Sequence, residues 1–152
     1  MKKFEFISNS DSDTKELAAK ITSFLKPGDV VLLTGDLGAG KTTFVGGALL
    51  SLGYKDHVVS PTFNILKCYF EVKPPVFHID AYRLEDQNHD IGLEEFLEGD
   101  GVSFVEWPIF IERILPPHTL TIKISRIGDN ERLFEISSDS EKYQKVFDIL
   151  EK

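Results

Sequence analysis

The sequence has very little cysteine and no long hydrophobic segment, and each absence excludes a class of protein. Cys68 is the single cysteine among 152 residues, so no disulfide forms within the chain. It lies in a strand-like run, where a buried and unreactive thiol is expected. No window approaches the run of about eighteen apolar residues that a membrane-spanning helix needs, and the N-terminal segment lacks the apolar stretch of a signal peptide. We therefore expect a cytoplasmic protein that does not enter a membrane.

Basic residues are also scarce. Lysine and arginine number 17 against 25 acidic residues, which gives a formal net charge of −8. Such a chain is a poor stand-alone binder of nucleic acid, because that binding depends largely on neutralising phosphates. Between residues 84 and 101 seven acidic side chains occur without any lysine or arginine. This segment is interpreted either as a solvated helix face with its loops or as a docking patch for a basic partner.

The most informative feature that is present is a complete phosphate-binding loop. Residues 35–42 read G-D-L-G-A-G-K-T and match the pattern G-x-x-x-x-G-K-[ST], after the apolar run of residues 30–33 and before a predicted helix. Glycine accepts positive φ, so consecutive backbone N–H groups can turn towards a phosphate. Lys41 supplies a point charge for the β- and γ-phosphates, and Thr42 supplies a hydroxyl for Mg²⁺. The predicted nucleotide contacts in this loop are Asp36, Leu37, Gly38, Ala39, Gly40, Lys41, Thr42 and Thr43.

A nucleoside triphosphate site also needs an acidic residue at the end of a neighbouring strand, to hold Mg²⁺ or its waters. Two candidates satisfy this requirement, because residues 76–80 form an apolar run that ends in Asp80 and residues 102–106 form one that ends in Glu106. Spacing alone does not decide which of the two carboxylates binds the metal. His78 lies two residues before Asp80 on the same predicted strand face, and a core or supporting histidine is favoured there over a catalytic one.

The pattern of predicted elements indicates an α/β protein, a single domain over residues 1–152. Strands and helices alternate in the first half, whereas Gly128-Asp129-Asn130 joins two alternating segments in a hairpin. We therefore expect a P-loop NTPase-like three-layer fold with a mixed parallel and antiparallel central sheet. The predicted helices begin near Asp13, Thr42, Ile91 and Tyr143, and the predicted strands cover residues 30–33, 63–72, 76–80, 102–106, 119–125 and 132–137.

Four motifs together make the chain resemble the bacterial TsaE family. They are G-D-L-G-A-G-K-T-T (35–43), S-P-T-F (60–63), H-I-D-A-Y-R (78–83) and V-E-W-P (105–108), in the family's order. The family is the small ATPase of tRNA threonylcarbamoyladenosine biosynthesis. A phosphate-binding loop alone would be unspecific, but the histidine–aspartate–arginine motif and the Glu-Trp pair are characteristic of this family.

The resemblance implies a role for each matching residue. Thr42 and Glu106 would bind Mg²⁺, while Asp80 would stand beside the metal and help to position or activate the attacking water. The resemblance also implies further residues around the nucleotide. These are the switch-type Thr62, Trp107 close to the nucleotide, Asp11 and Thr14 before or within the first helix, and Arg132 in the hairpin.

The resemblance also implies cofactors and partners, namely ATP, Mg²⁺ and the TsaD and TsaB proteins. Those partners transfer the threonylcarbamoyl group to adenosine 37 of tRNAs that read ANN codons, so this chain would meet tRNA only through the complex. The expected reaction is in-line attack of water on the γ-phosphate, with Lys41, Asp80 and Glu106 as the catalytic groups. No motif supplies an arginine or glutamine in cis, which predicts slow hydrolysis that the partners stimulate.

Two other functional classes share the phosphate-binding loop. A small-molecule kinase should carry a lid with several arginines, but the four arginines of this chain (Arg83, Arg113, Arg126 and Arg132) are scattered. A GTPase-like switch should carry an Asn-Lys-x-Asp string for guanine, and none is present. Phosphate release without an acceptor, and competition between GTP and ATP, would discriminate these classes from an ATPase.

Overall fold

The computed structural model describes residues 1–36, 38–59, 61, 65–84 and 92–152, without the side chain of Arg83. The strands are β1 (Lys2–Ser8), β2 (Val30–Thr34), β3 (Leu66–Tyr69), β4 (Val76–Asp80), β5 (Val102–Glu106), β6 (Leu120–Arg126) and β7 (Arg132–Ser138). The α-helices are α1 (Asp11–Thr22), α2 (Lys41–Ser51), α3 (Leu93–Leu97) and α4 (Gln144–Leu150). Short 3-10 helices cover Tyr82–Leu84, Pro108–Ile114 and Glu141–Tyr143.

All seven strands belong to one sheet, in the order β1-β7-β6-β2-β5-β4-β3. The four central strands β6, β2, β5 and β4 run parallel, whereas β3, β7 and β1 pair antiparallel with their neighbours. This confirms the predicted mixed sheet. The carboxyl ends of parallel strands meet at one edge of a sheet, and β2, β4 and β5 therefore bring three of the sequence motifs to the same edge.

Helical layers cover both faces of this sheet, as the predicted three-layer fold requires. The buried residues Val31 and Leu33 of β2 contact the core beneath α1, α2 and α4, while Val30 of the same strand belongs to the core on the opposite face. That second core includes Leu93 and Leu97 of α3. The continuous apolar sequence of β2 follows from this double burial, because a central parallel strand is covered on both sides.

The first helix begins earlier than its sequence predicted. Ser10, not Asp13, is its N-cap residue, and the Ser10 side chain accepts a hydrogen bond from the Asp13 backbone N–H. The Asp13 carboxylate instead accepts a hydrogen bond from the backbone N–H of Asn9. The two side chains together therefore accept hydrogen bonds from backbone N–H groups at the start of the helix. Phe24 lies beyond the end of α1 and is 37% exposed.

Three other elements differ from the prediction. β1 was not predicted, although apolar and charged residues alternate over residues 3–6, and it pairs antiparallel with β7 at the edge of the sheet. β3 covers only Leu66–Tyr69, which is shorter than the predicted strand over residues 63–72, and α3 begins at Leu93. Phe63 and Ile91, the predicted first residues of that strand and of α3, lie outside the described residues.

The C-terminal segment is held to the sheet through Tyr143. Its buried hydroxyl accepts a hydrogen bond from the Val30 backbone N–H at 3.2 Å, across 113 positions of sequence. Burial raises the pKa of Tyr143 to about 12, so the phenol stays protonated at neutral pH. This contact joins the start of the loop-bearing strand β2 to the 3-10 turn that precedes α4.

The acidic segment is only partly described. Glu94, Glu95, Glu98 and Asp100 are exposed around α3, while residues 85–91 lie outside the described residues. Both interpretations of this segment therefore stay open. Within the ranges that the structure describes, no helix has the length and apolarity to cross a membrane.

Candidate nucleotide-binding site

The phosphate-binding loop joins the end of β2 to the start of α2, as the sequence predicted. Its three glycines all have positive φ, with values of 144° at Gly35, 79° at Gly38 and 116° at Gly40. Gly40 precedes the first turn of α2, and no side chain among the described residues caps that turn. The first backbone N–H groups of α2 are therefore available to an anion, and the positive end of the helix dipole favours one there. Leu37 of the loop lies outside the described residues.

Position 35 requires glycine for a second reason besides its backbone angle. A Cβ atom at this position would overlap the carbonyl oxygen of Ile124 on β6, because the loop passes very close to that strand. A Cβ on Gly53, which also has positive φ, would meet no atom within 4 Å. The glycine at position 35 is thus required both by conformation and by close approach.

We expect Gly35→Ala to destabilise the protein by about 1–3 kcal/mol more than Gly53→Ala does. Both substitutions place a side chain at positive φ, but only the first also forces the loop away from Ile124. Urea unfolding of the two variants and the parent protein measures the difference. Equal losses of unfolding free energy in the two variants would show that the approach of the loop to β6 is unimportant.

Lys41, the lysine of the loop, is almost completely buried, with 6% of its surface exposed. Its ammonium donates a hydrogen bond to the Gly35 carbonyl oxygen at 2.7 Å and lies 3.7 Å from Oε1 of Glu106. The ring centroid of Trp107 lies 4.8 Å from the same nitrogen, within the range of a cation–π contact. Three separate contacts therefore hold the ammonium between the loop carbonyl of Gly35, Glu106 and the indole of Trp107.

Asp80 and Glu106 lie opposite each other at the ends of the neighbouring parallel strands β4 and β5. Each is only 4% exposed. The Oδ1 atom of Asp80 accepts a hydrogen bond from the Tyr82 backbone N–H at 3.0 Å. The Oε2 atom of Glu106 lies 2.6 Å from Nε2 of His78. The structure thus brings both candidate acids and the loop lysine to one edge of the sheet.

This donor set fits Mg²⁺. Within the described ranges no three His, Cys, Asp or Glu side chains converge as a complete metal cage. Mg²⁺ does not need such a cage, because it is usually held by one or two carboxylates together with phosphate oxygens and waters. Glu106 and Asp80 supply carboxylates, and Thr42 supplies a hydroxyl one residue after Lys41 in the first turn of α2.

Trp107 adopts a left-handed backbone conformation, with φ of 57° and ψ of 51°. Such a conformation costs a bulky residue about 1–3 kcal/mol, so the surrounding structure must hold it. The ring lies 5.1 Å from that of Tyr82 and is stacked on Phe110 at 6.2 Å. This turn directs the indole over Lys41 immediately after the metal-ligand candidate Glu106. The aromatic neighbours Tyr82 and Phe110 were not predicted.

Asp11 borders a cleft of about 390 Å³ beside the loop, together with Thr42, Thr43 and Gly46. Thr14, predicted as a second contact of this segment, is buried, and its hydroxyl is hydrogen-bonded to that of Ser8 at 2.7 Å. The structure thus places Asp11, but not the hydroxyl of Thr14, at the rim of the cleft. The nucleotide roles of both residues stay predictions, as does that of Thr62, which lies outside the described residues.

Arg132 contacts the loop itself. Its Nε donates a hydrogen bond to the Ala39 carbonyl oxygen at 3.0 Å, and its Nη1 donates to the carbonyl oxygen of Gly128 at 3.2 Å. The side chain therefore joins the β6–β7 hairpin to the phosphate-binding loop, a contact that no local pattern indicated, while its contact with the nucleotide stays a prediction. A second cleft of about 370 Å³ lies on this side of the loop, against Lys123, Ile124 and Arg126 of β6.

Comparison with known proteins gives one consistent result. The family model described as threonylcarbamoyl adenosine biosynthesis protein TsaE matches residues 8–134. The chain is 43% identical over 150 residues to the tRNA threonylcarbamoyladenosine biosynthesis protein TsaE of Bacillus subtilis, covering 99% of this chain and 95% of that protein. It is 35% identical to the protein of the same name from Rickettsia felis, over 95% of this chain and 85% of the relative. The crystal structure of Bacillus subtilis YdiB is similar, with a TM-score of 0.85 and 37% sequence identity. The match covers 99% of this chain and 95% of that one.

Proposed function

The chain belongs to the TsaE family of tRNA threonylcarbamoyladenosine biosynthesis proteins, and on that premise we propose that it is the Mg²⁺-dependent ATPase of that pathway. It binds and hydrolyses ATP in the cytoplasm in support of TsaD and TsaB, which carry out the transfer to adenosine 37 of tRNA. The observation that supports this proposal best is the arrangement at the sheet edge. The buried lysine of the loop and two buried carboxylates lie together at this edge. The helix that follows the loop begins without a capping side chain among the described residues.

Each residue of the site has a chemical task in this proposal. The loop N–H groups and Lys41 bind the phosphates and oppose the negative charge that develops during γ-phosphate transfer. Thr42 and Glu106 would hold Mg²⁺, which neutralises charge on the β- and γ-phosphates when bound. Asp80, which lies opposite Glu106 and accepts a hydrogen bond from the Tyr82 N–H, would align a water for attack.

Hydrolysis by the isolated chain is expected to be slow. Arg126 is exposed and is paired with Asp129 at 3.5 Å, and Arg132 is used by the hairpin and the loop. Both guanidinium groups therefore have partners within the protein, and no sequence motif supplies a further arginine or glutamine in cis. A partner that supplies such a group, or that reorders the site, would raise the rate. The net charge of −8 also agrees with a chain that leaves tRNA binding to its partners.

The experiment is phosphate release from ATP by the purified chain, alone and with TsaB and TsaD, at saturating Mg²⁺. We expect slow release that the two partners accelerate and that needs no small-molecule acceptor. GTP at equal concentration should compete weakly. Release that ignores the partners, or that requires an acceptor, would contradict the proposal and would indicate an independent hydrolase or a kinase.

A further inference from the structure

His78 is a fully buried polar residue in the middle of a strand whose five residues are all buried. A histidine that serves only to fill a core normally finds hydrogen-bond partners for both ring nitrogens. Here Nε2 lies 2.6 Å from Oε2 of Glu106, while Nδ1 has no hydrogen-bond partner in the part of the chain that the structure describes. The side chain is therefore oriented towards a single group, the Glu106 carboxylate.

The direction of this hydrogen bond follows from its surroundings. The Oε1 atom of the Glu106 carboxylate lies 3.7 Å from the Lys41 ammonium. A glutamate carboxylate accepts hydrogen bonds and a ring N–H donates them, so Nε2–H of His78 is assigned as the donor. His78 and Lys41 thus each face a different oxygen of the same carboxylate, Oε2 and Oε1 respectively.

The register of the two strands shows what the hydrogen bond does. The residue directly opposite Glu106 on β4 is Asp80, whereas His78 is opposite Phe104, two positions back. The Glu106 side chain therefore leans diagonally along the sheet towards His78. Two carboxylates directly opposite each other repel, and the diagonal contact favours an orientation of Glu106 away from Asp80. With Oε2 held by His78, Oε1 faces the ammonium of Lys41, and Thr42 is the residue that follows Lys41 in the first turn of α2.

We propose that His78 is a positioning residue for Mg²⁺. Its ring fixes the rotation of the Glu106 carboxylate, so that Oε1 is presented towards the Thr42 side of the site. This inference rests on the proposed function, because it assigns Glu106 to the metal. Partners that orient a ligating side chain typically change metal affinity by about 10- to 100-fold when they are removed. His78 itself touches neither the nucleotide nor the metal in this proposal.

The test compares two substitutions at one position. His78→Phe keeps a planar apolar ring and removes the donor, whereas His78→Gln keeps an N–H donor near the place of Nε2. His118→Phe is the matched control, because the His118 side chain is exposed and lies just before the amino end of β6, at the edge of the sheet opposite to the carboxyl ends of β2, β4 and β5. The readout is the binding of a non-hydrolysable ATP analogue, which calorimetry measures in EDTA and at increasing Mg²⁺ concentrations. Thermal unfolding of each variant is measured alongside, and His78→Leu replaces the phenylalanine variant if that protein does not fold.

We expect His78→Phe to raise the Mg²⁺ concentration needed for tight binding by about 10-fold or more, and to leave binding in EDTA unchanged. His78→Gln should restore most of the Mg²⁺ dependence, and His118→Phe should match the parent. The inference is overturned if the phenylalanine variant has the parent's Mg²⁺ requirement, or if binding weakens equally with and without Mg²⁺. It is also overturned if a folded glutamine variant is as impaired as the phenylalanine variant. Failure of the parent protein to bind the analogue, or to respond to Mg²⁺, would instead contradict the proposed function itself.

Discussion

Replacement of Lys41 by methionine is expected to lower the rate of ATP hydrolysis by about 100- to 1000-fold, which is the usual effect of removing one preorganised group that stabilises transition-state charge. Lys41 is the cation of the phosphate-binding loop, and its ammonium is directed by the Gly35 carbonyl, Glu106 and the ring of Trp107. Methionine preserves most of the length and the packing of the apolar stem, so the substitution removes mainly the charge. Single-turnover phosphate release in the presence of TsaB and TsaD measures the effect.

The control for this substitution is Lys20→Met. Lys20 is an exposed lysine in the last turn of α1, so its replacement makes the same change in net charge away from the loop. We expect it to hydrolyse ATP at the parent rate. Thermal unfolding shows whether Lys41→Met remains folded, because Glu106 loses a nearby cation in that variant. A folded Lys41→Met protein with parental turnover would show that the loop is not a triphosphate site.

The parts of the site that were predictable from sequence are those encoded within a few neighbouring residues. The phosphate-binding loop was recognisable because each glycine, lysine and threonine has a separate local reason to be there. Asp80 and Glu106 were recognisable because each ends an apolar run, and parallel strands place such ends at one edge. The structure confirms this adjacency and the mixed sheet around it.

The parts that were not predictable depend on contacts between distant segments. Arg132 and Ala39 are 93 positions apart, and only the return of the β6–β7 hairpin to the loop brings them together. The partner of His78 depended on the register between β4 and β5, which no local pattern specifies. β1 was missed for a related reason, because an edge strand gains its stability from pairing with β7 more than from its own sequence.

The other large effect is expected from substitutions of Asp80 and Glu106, which should change hydrolysis and the Mg²⁺ requirement in different ways. Glu106 lies beside Lys41 and is held by His78, whereas Asp80 accepts a hydrogen bond from the Tyr82 N–H. We therefore expect Glu106→Gln to act through the metal. It should raise the Mg²⁺ requirement for binding of a non-hydrolysable ATP analogue, and should lower hydrolysis by at least about 100-fold, since a bound metal supplies several kcal/mol of charge stabilisation.

Asp80→Asn is the matched variant, because it makes the same change from carboxylate to amide directly across the two strands. If Asp80 orients the attacking water, this variant should bind the analogue with a nearly parental Mg²⁺ requirement, while hydrolysis falls by about 100- to 10,000-fold. Calorimetry across a Mg²⁺ series separates the two effects from single-turnover rates measured on the same proteins. Equal increases in the Mg²⁺ requirement would mean that both carboxylates bind the metal. If Asp80→Asn alone changed the Mg²⁺ requirement, the two residues would exchange their proposed roles. The hydrogen bond from His78 to Glu106 would then have no function in metal binding.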